Sequence, residues 1–335
     1  MDQSQKEKHQ AIEEACRLGD FSTLVKLATS TGGLLTDELR RQAYESEQSL
    51  DRRRTDLSNV IVSTLRSHPM LSYFQSYHDV VQVLLLVLGE PYARLAVPRI
   101  SLLRLRDYML PTISPARKHF EVVSAIVKSA DPELADHISE AENSFALSAT
   151  HSLFAHDIQD YGAIARLYDF LLAHEPAMSL YLFATVTISR RSELFEMPAD
   201  QSDILTFMIS KLPQTLNIDV LVQDTLILFR KHPPHSLRGF IWWRLSRYSV
   251  LKTSRSIGQH QSLEEAELLA RNQIEQLRRE ELLQKRMRAL AKYRRPAMSL
   301  TAALLIGAIS YWIRRNGQDR FIWSIISSTT RFFSQ

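Results

Sequence analysis

The side chain best placed to do chemistry is the amide of Gln75, which lies in a short stretch between two helical segments. One helix ends at the His68-Pro69 step, because a residue that precedes proline is disfavoured in the α conformation. An aromatic-rich link follows, and Asp79 opens the next apolar helix. The spacing therefore predicts Gln75 on a rigid helix-to-helix corner with its amide pointing outward. Such an amide donates one hydrogen bond and accepts another while it stays neutral, which suits it to hold a water molecule.

Other polar clusters carry weaker signals. The segment His232-Pro-Pro-His235 could suggest a metal, but its prolines prevent the i,i+3 presentation of paired ligands on a helix, so no metal site is predicted. His151 and His156 with Asp157 could mimic acid-base machinery, although partly exposed helix histidines are the favoured interpretation. Neither Gly-x-Gly-x-x-Gly nor Gly-x-x-x-x-Gly-Lys occurs, so we expect no nucleotide-binding loop of these types and no cofactor of the chain's own.

The elements that must position these side chains are helices. The 335-residue chain has 9 glycines, fewer than half the number expected on average, which leaves few tight hairpins. Apolar residues recur at helical spacing almost everywhere, and sustained period-two alternation is absent. The sequence thus predicts an all-α fold, a multi-helix array over about residues 5–250. The sole cysteine, Cys16, cannot form a disulfide within the chain, so a reducing compartment is the default.

Several helix boundaries are marked by local signals. One helix is predicted to begin near Thr55 and to stop just before Pro69. Asp131 precedes a proline and an acid, which is the pattern of a helix start. Ser262 with Glu265 makes a capping box, from which a further helix should begin.

Residues 262–295 differ in character from the array before them. Between Arg271 and Arg295 nine basic residues stand against three acids. The pattern predicts a charged, amphipathic spacer helix that is solvated, and the alternative is a basic helix that lies on anionic lipid headgroups. The basic residues would also suit nucleic acid, but their adjacency to an apolar tail favours lipid, so no nucleic-acid partner is predicted.

An uncharged stretch of 17 residues follows at 297–313, with a pair of arginines on each side. As a helix it spans about 26 Å, close to the ~27 Å of the endoplasmic reticulum bilayer. Tyr311 and Trp312 lie where interfacial aromatics are common. The stretch therefore predicts a transmembrane tail anchor in the endoplasmic reticulum or an early secretory membrane, with the bulk of the chain cytosolic and 314–335 as a short tail. A buried core helix is the alternative, which leaves the arginine flanks unexplained.

The corner and its surroundings resemble the Rab GTPase-activating (TBC-domain) family, especially its tail-anchored branch. The family's glutamine motif reads Tyr-x-Gln-Gly-Tyr/Met-x-Asp, and this chain has Tyr73-Phe74-Gln75-Ser76-Tyr77-His78-Asp79. Further similar segments are 33–41, 105–109, 145–147, 166–172 and 211–214. The match covers about residues 30–235, which implies a domain over 31–250 that is preceded by a helical lead-in over 1–30.

This resemblance implies a regulator of a Rab-type small GTPase in early secretory vesicle traffic rather than a stand-alone enzyme. Family members act in trans on Mg-GTP bound to the partner, where a glutamine orients the attacking water and an arginine finger stabilises the developing charge. By the motif match, Gln75 is the glutamine finger. The implied binding and support residues are Tyr73, Tyr77, Asp79, Arg106 and Asp107.

The family's arginine finger lacks a full counterpart. In the family it lies in an Ile-x-x-Asp-x-x-Arg segment several helical turns before the glutamine motif. Here Asp51-x-x-Arg54 matches the second half of that segment, but Arg54 precedes Gln75 by only 21 residues, so 42–50 mark an apparent internal deletion. An arginine finger contributes about 10³–10⁵ in rate. A weak or inactive activator is therefore predicted, whose residues 1–260 stimulate hydrolysis by less than about a hundredfold.

Two other interpretations stay open. The chain would be a non-catalytic, membrane-anchored scaffold that binds a Rab without turning it over, or the gap near 42–50 would be a gene-model error in a competent activator. Ser76 adds a further expectation, because it stands where the family has glycine. If that position needs a positive φ, a serine there is strained.

Overall fold

The computed structural model of the chain describes residues 3–18, 20–30, 37–139, 147–213, 216–254 and 261–315. The chain divides into two compact units, Met1–Ile274 and Glu275–Gln335. The described residues form helices and connecting turns and contain no strand, which confirms the predicted all-α fold.

The helices follow one another along the chain with mostly short connections. Their bounds are α1 Gln3–Leu18, α2 Phe21–Thr29, α3 Asp37–Ser67, α4 Tyr77–Ile100, α5 Ser114–Ala130, α6 Pro132–His137, α7 Leu147–His151, α8 Tyr161–Ala173, α9 Met178–Ser189, α10 Arg191–Phe195, α11 Ser202–Ser210, α12 Ile218–Lys231, α13 Ile241–Arg244, α14 Val250–Thr253 and α15 Leu263–Arg315. A π-helical turn, Ser101–Leu105, and a 3-10 turn, Arg106–Tyr108, continue α4.

The predicted helix signals act as expected at three boundaries. α3 ends at Ser67, two residues before Pro69. The Asp131 carboxylate accepts a hydrogen bond from the Leu134 backbone N–H at 3.0 Å and caps α6. Ser262 Oγ accepts from the Glu265 N–H at 3.1 Å and caps α15.

The predicted start of α3 near Thr55 is wrong, because α3 begins at Asp37. The intervening segment has neither proline nor glycine and is rich in Glu, Gln and Arg, which favour helix, so nothing interrupts it. Residues 42–50, the apparent deletion, therefore lie inside one continuous helix.

The core of the first unit is built around α9, in which ten consecutive residues, Met178–Thr187, are buried. A helix that is apolar on all sides belongs in a protein interior. α5 and α12 both pack against α9, and α4 packs against α3.

By length and composition alone, the segment Tyr77–Tyr108 could cross a membrane. However, Val80, Val81 and Leu84 are buried in the core of the first unit. Gly89, with φ 72° and ψ 165°, also breaks α4 near its middle. These features are those of a core helix.

The predicted anchor at 297–313 lies within α15. Its central part, Ala303–Trp312, is a shorter apolar helix with exposed side chains. Residues 316–335 of the predicted tail lie outside the described residues.

The carboxylate of Asp107 is the centre of a buried polar cluster in the first unit. It accepts hydrogen bonds from Gln273 Nε2 at 2.8 Å and from Ser249 Oγ, and His119 Nε2 lies 2.8 Å from it. Burial alone would raise the pKa of Asp107. The interactions with His119, Arg106 and Ser249 outweigh it and lower the pKa to about 2.

The neighbouring Arg106 is fully buried and joins the same cluster. Its guanidinium donates to the Tyr248 carbonyl oxygen at 2.6 Å and to Gln273 Oε1 at 3.0 Å, and burial lowers its pKa. Ala266 and Ala270, on the same helix as Gln273, are also fully buried.

The first turns of α15 therefore belong to the core, and the first unit ends at Ile274. The predicted domain limit near residue 250 falls short of this boundary. The predicted spacer helix over 262–295 accordingly begins as a packed helix, because its Gln273 satisfies buried groups that no local pattern reveals.

We expect Asp107→Asn to lower the free energy of unfolding by about 3 kcal/mol, because it leaves several buried donors facing an amide. Asp136→Asn should change it by less than about 1 kcal/mol, since Asp136 forms an exposed ion pair with Lys128. Urea unfolding of the full chain in mild detergent, followed by circular dichroism, measures both.

The same pair of proteins tests the pKa of Asp107. Because the folded-state pKa is lowered from 3.8 to about 2, the carboxylate's contribution is complete above pH ~4 and disappears as the pH falls toward 2. The stability difference between the native chain and Asp107→Asn should shrink over this window. A constant difference would contradict the assignment.

Candidate functional site

The link between α3 and α4 is held by backbone hydrogen bonds. The Leu71 N–H donates to the His68 carbonyl oxygen at 2.9 Å. The Ser72 N–H donates to the Met109 carbonyl oxygen at 2.7 Å, which joins the link to the turn after α4. These bonds make the link a defined corner rather than a free loop.

Gln75 lies on this corner with an exposed side chain. Within the part of the chain that the structure describes, its amide makes no hydrogen bond. Its backbone carbonyl oxygen accepts from His151 Nε2 at 3.0 Å. The backbone of Gln75 is thus fixed while the amide stays open to a partner, as the sequence predicts.

Ser76 adopts the left-handed conformation, with φ 71° and ψ 3°, and is buried. The position after Gln75 therefore has a positive φ on a residue with a Cβ, which is the condition under which a serine there is strained. Such a residue costs about 1–2 kcal/mol relative to a right-handed one. This bend turns the chain into the first residue of α4.

Aromatic rings pack beneath the corner. Phe74 lies 5.6 Å from Tyr77, 6.2 Å from Tyr108 and 5.2 Å from His151, measured between ring centroids. Tyr77 is buried, and its hydroxyl lies 2.7 Å from Ser101 Oγ. Burial raises the pKa of Tyr77 to about 12. The ring of Tyr77 therefore supports the corner and is not accessible to a partner.

A second, more exposed cluster lies beside Gln75. The Tyr73 hydroxyl lies 2.7 Å from His78 Nδ1, and His78 Nε2 lies 3.3 Å from the carboxylate of Asp79. The same carboxylate accepts from His156 Nδ1 at 2.9 Å. Burial and the charge of Asp79 raise the pKa of Tyr73. Tyr73 is 51% exposed and so remains open to a partner surface.

Two histidines, His151 at the end of α7 and His156 in the turns after it, reach the corner and were not assigned to it from the sequence. His151 binds the carbonyl oxygen of Gln75, and His156 binds Asp79. Their partners lie 76 and 77 residues earlier in the chain, so no local spacing could have linked them. Leu153 and Phe154, between them, also have positive φ angles of 50° and 67°.

Arg106 and Asp107 lie beneath the corner rather than on it. His119 Nδ1 lies 2.9 Å from the Tyr108 hydroxyl, and its other ring nitrogen contacts Asp107. Because Tyr108 packs on Phe74, the buried cluster supports the corner through a chain of contacts.

Arg54 lies far from Gln75 along α3. It precedes the end of the helix by thirteen residues, about 20 Å at 1.5 Å per residue. Its side chain is 77% exposed and lies 3.4 Å from Asp51. The structure therefore does not place Arg54, on α3, close to Gln75, on the corner.

Some motif residues fall outside the described part of the chain. These are residues 33–36 of the first similar segment, Phe145 and Ala146 of the third, and Gln214 of the last. Arg166, in α8, forms an exposed ion pair with Asp219 at 3.1 Å.

The first unit is thus an all-helical fold that presents an exposed glutamine, Gln75, at a corner between two helices. The family model described as the Rab-GTPase-TBC domain matches residues 36–195. The chain is 30% identical over 276 residues to TBC1 domain family member 20 of Homo sapiens, covering 69% of this chain and 68% of that protein. The chain belongs to this family.

Two further relatives match the chain at a similar identity. The chain is 31% identical over 263 residues to TBC1 domain family member 20 of Bos taurus, covering 65% of each chain. It is 31% identical over 235 residues to GTPase-activating protein gyp10 of Schizosaccharomyces pombe (strain 972 / ATCC 24843), covering 69% of this chain. It spans 63% of the length of that yeast relative.

We expect Ser76→Gly to raise the free energy of unfolding by roughly 1 kcal/mol, because glycine adopts the left-handed conformation without a Cβ clash. Ser72→Gly, in the same link at a residue without a positive φ, should instead be neutral or lower it by up to about 1 kcal/mol. The urea unfolding midpoints of the two variants, compared with that of the native chain, test this expectation. A loss of stability at position 76 would show that the serine side chain contributes more than its backbone costs.

Proposed function

We propose that this chain is a GTPase-activating protein for a Rab-type small GTPase and that Gln75 is its glutamine finger. The observation that carries the proposal is the exposed amide of Gln75 on a backbone held by His151. The family membership and the names of two relatives as a GTPase-activating protein and a TBC1 domain protein support it.

The chemistry asks little of the chain beyond position. GTP hydrolysis needs a water that is oriented toward the γ-phosphate, and a neutral amide can donate to one group while it accepts from that water. A fixed finger lowers the barrier because its orientation entropy is lost on folding and not in the reaction. Magnesium and GTP would come with the partner, so the chain needs no cofactor of its own.

The second requirement is a positive charge on the developing phosphate charge, which an arginine finger would supply. An arginine finger contributes about 10³–10⁵ in rate, roughly 4–7 kcal/mol of barrier. Arg54 is an exposed residue about 20 Å along α3 from the corner, beyond the reach of its side chain. The chain as written should therefore be a weak activator.

A second candidate function is a non-catalytic scaffold that binds a Rab and leaves its GTP intact. The continuity of α3 through 42–50 favours it, because the helix leaves no separate segment to carry an arginine finger. A gene-model error in that region stays open, and reading the transcript from Arg41 to Arg54 would resolve it.

We further propose that residues 297–313 anchor the chain in the endoplasmic reticulum or an early secretory membrane, with the first unit in the cytosol. Leu304, Ile306 and Ile309 are all more than half exposed on α15. Three large aliphatic side chains left in water on one helix are unfavourable, and a bilayer would cover them.

We expect the full chain in mild detergent to stimulate single-turnover GTP hydrolysis by a Rab panel less than about a hundredfold. Gln75→Ala should return the rate to the intrinsic value of the GTPase. Gln82, on α4, is another exposed glutamine. Gln82→Ala and Arg54→Ala should both leave the stimulated rate unchanged.

Two results would contradict this interpretation. Stimulation well above a hundredfold that is lost on Arg54→Ala would make Arg54 a true finger. No stimulation, together with binding to the GTP form of a Rab, would favour the scaffold. A soluble fragment for either assay should end at Ile274 rather than residue 260, because Gln273 is part of the buried cluster.

We expect His151→Phe to reduce the stimulated rate about tenfold while the affinity for the Rab stays within about twofold, because the ring still packs on Phe74 but the Gln75 carbonyl loses its donor. Comparing kcat with KM separates the two effects. A rise in KM alone would assign His151 to partner binding instead.

A further inference from the structure

One stretch of the first unit is strongly basic. From residue 225 to residue 263 the chain contains no Asp or Glu, while it contains seven Lys or Arg. The stretch includes the sequence Arg238-Gly-Phe-Ile-Trp-Trp-Arg-Leu-Ser-Arg247, which contains three aromatic and three basic residues. Such an uncompensated run creates a positive potential over its surface.

The backbone of this stretch pushes an aromatic ring outward. Gly239 and Phe240 both have left-handed conformations, with φ 78° and φ 55°. A bulky residue in this conformation is rare and costs about 1–2 kcal/mol. Phe240 is 76% exposed, the highest value of any large apolar residue that the structure describes, and Trp243 is 67% exposed. Strain that places an apolar ring in water indicates a use for that ring.

The loop that carries these rings is bonded to both α5 and α14. The Lys252 ammonium donates to the Leu245 carbonyl oxygen at 2.9 Å, and the Lys118 ammonium donates to the Arg244 carbonyl oxygen at 3.3 Å. Burial and the nearby charge of Lys118 lower the pKa of Lys252. Of the described residues, Glu121 is the acid paired with this loop, at 3.8 Å from Arg244.

We propose that Arg238, Phe240, Trp243, Arg244 and Arg247 form an aromatic-basic surface that binds an anionic phospholipid bilayer. Phe240 and Trp243 would enter the headgroup boundary, where aromatic rings are favoured. The three arginines would contact phosphate and carboxylate groups, at about fivefold in affinity for each charge.

A bilayer fits this surface better than a protein partner because of how its charge is arranged. Phe240 directly precedes the four-residue helix Ile241–Arg244, which carries Trp243 and Arg244. The charge is spread over several arginines rather than matched to a defined acidic partner, which is the pattern of recognition by a charged membrane. Tethering by the proposed anchor would raise the effective concentration of bilayer at this surface, but the surface needs no anchor to bind.

The sole cysteine allows a direct test in the full chain. In a Cys16→Ser background, Phe240→Cys is labelled with an environment-sensitive nitrobenzoxadiazole dye. On mixing with vesicles that contain about one third phosphatidylserine, the emission should shift to the blue and rise by at least about twofold. Phosphatidylcholine vesicles should give little change. The matched control is dye at Phe207→Cys, an equally apolar exposed position on α11, which should not respond to either vesicle.

The charges are tested by combining Arg238→Gln, Arg244→Gln and Arg247→Gln. The triple variant should bind anionic vesicles about a hundredfold more weakly, and about 0.5 M salt should have a similar effect. Absence of a response at position 240, an equal response in neutral vesicles, or an unchanged triple variant would each overturn the proposal.

Two separate readouts distinguish this proposal from the others. Incorporation through 297–313 is measured by flotation with vesicles at high salt, where the headgroup contacts are screened. GTPase activation is measured on a soluble Rab without lipid. If Trp243→Ala weakens Rab binding there and leaves vesicle binding intact, the surface is a protein-docking site and the lipid proposal is wrong.

Discussion

The structure of the first unit depends on one buried negative charge, the carboxylate of Asp107. A carboxylate that leaves water must receive hydrogen bonds inside the protein, and three distant parts of the chain supply them. His119 comes from α5, Ser249 from the start of α14, and Gln273 from α15. Because this charge must be satisfied, the first turns of α15, which carry Gln273, pack on the core. His119 also contacts the Tyr108 hydroxyl, and the Tyr108 ring packs on Phe74, one of the aromatic rings below Gln75.

The buried cluster around Asp107 supports the glutamine corner and contributes to its rigidity. Of the four residues other than glycine that have a positive φ in the described chain, three lie in the two segments that meet here: Ser76, Leu153 and Phe154. Strained backbone persists only where the surroundings over-determine it. The bond from His151 to the Gln75 carbonyl oxygen is one such constraint, and the packing of Phe74 is another. The proposed role of Gln75 in a partner's active site would require this rigidity, since a mobile amide would lose its orientation on binding.

Orientation and charge are separable contributions to GTP hydrolysis, and this chain offers one of them clearly. The amide at the corner is positioned by folding, whereas Arg54, the arginine assigned to the finger motif, lies on a distant turn of a continuous helix. A family member of this kind would bind its partner through a complete corner and accelerate it little. The membrane contacts proposed for the exposed rings of Phe240 and Trp243 and for the apolar side chains of α15 do not involve the nucleotide.

The sequence by itself determined the all-helical fold, the end of α3 before Pro69, the caps at Asp131 and Ser262, and the helix-to-helix corner that carries Gln75. These features follow from local rules, because helix periodicity, proline sterics and capping each act over a few residues. Only the tertiary structure decided that α3 begins at Asp37, that Gln273 is a core residue, and that His151 and His156 belong to the corner. The histidines and Gln273 have partners 76 to 166 residues away, and a polar side chain in a charged or half-exposed helix looks the same in sequence whether water or a buried carboxylate receives it.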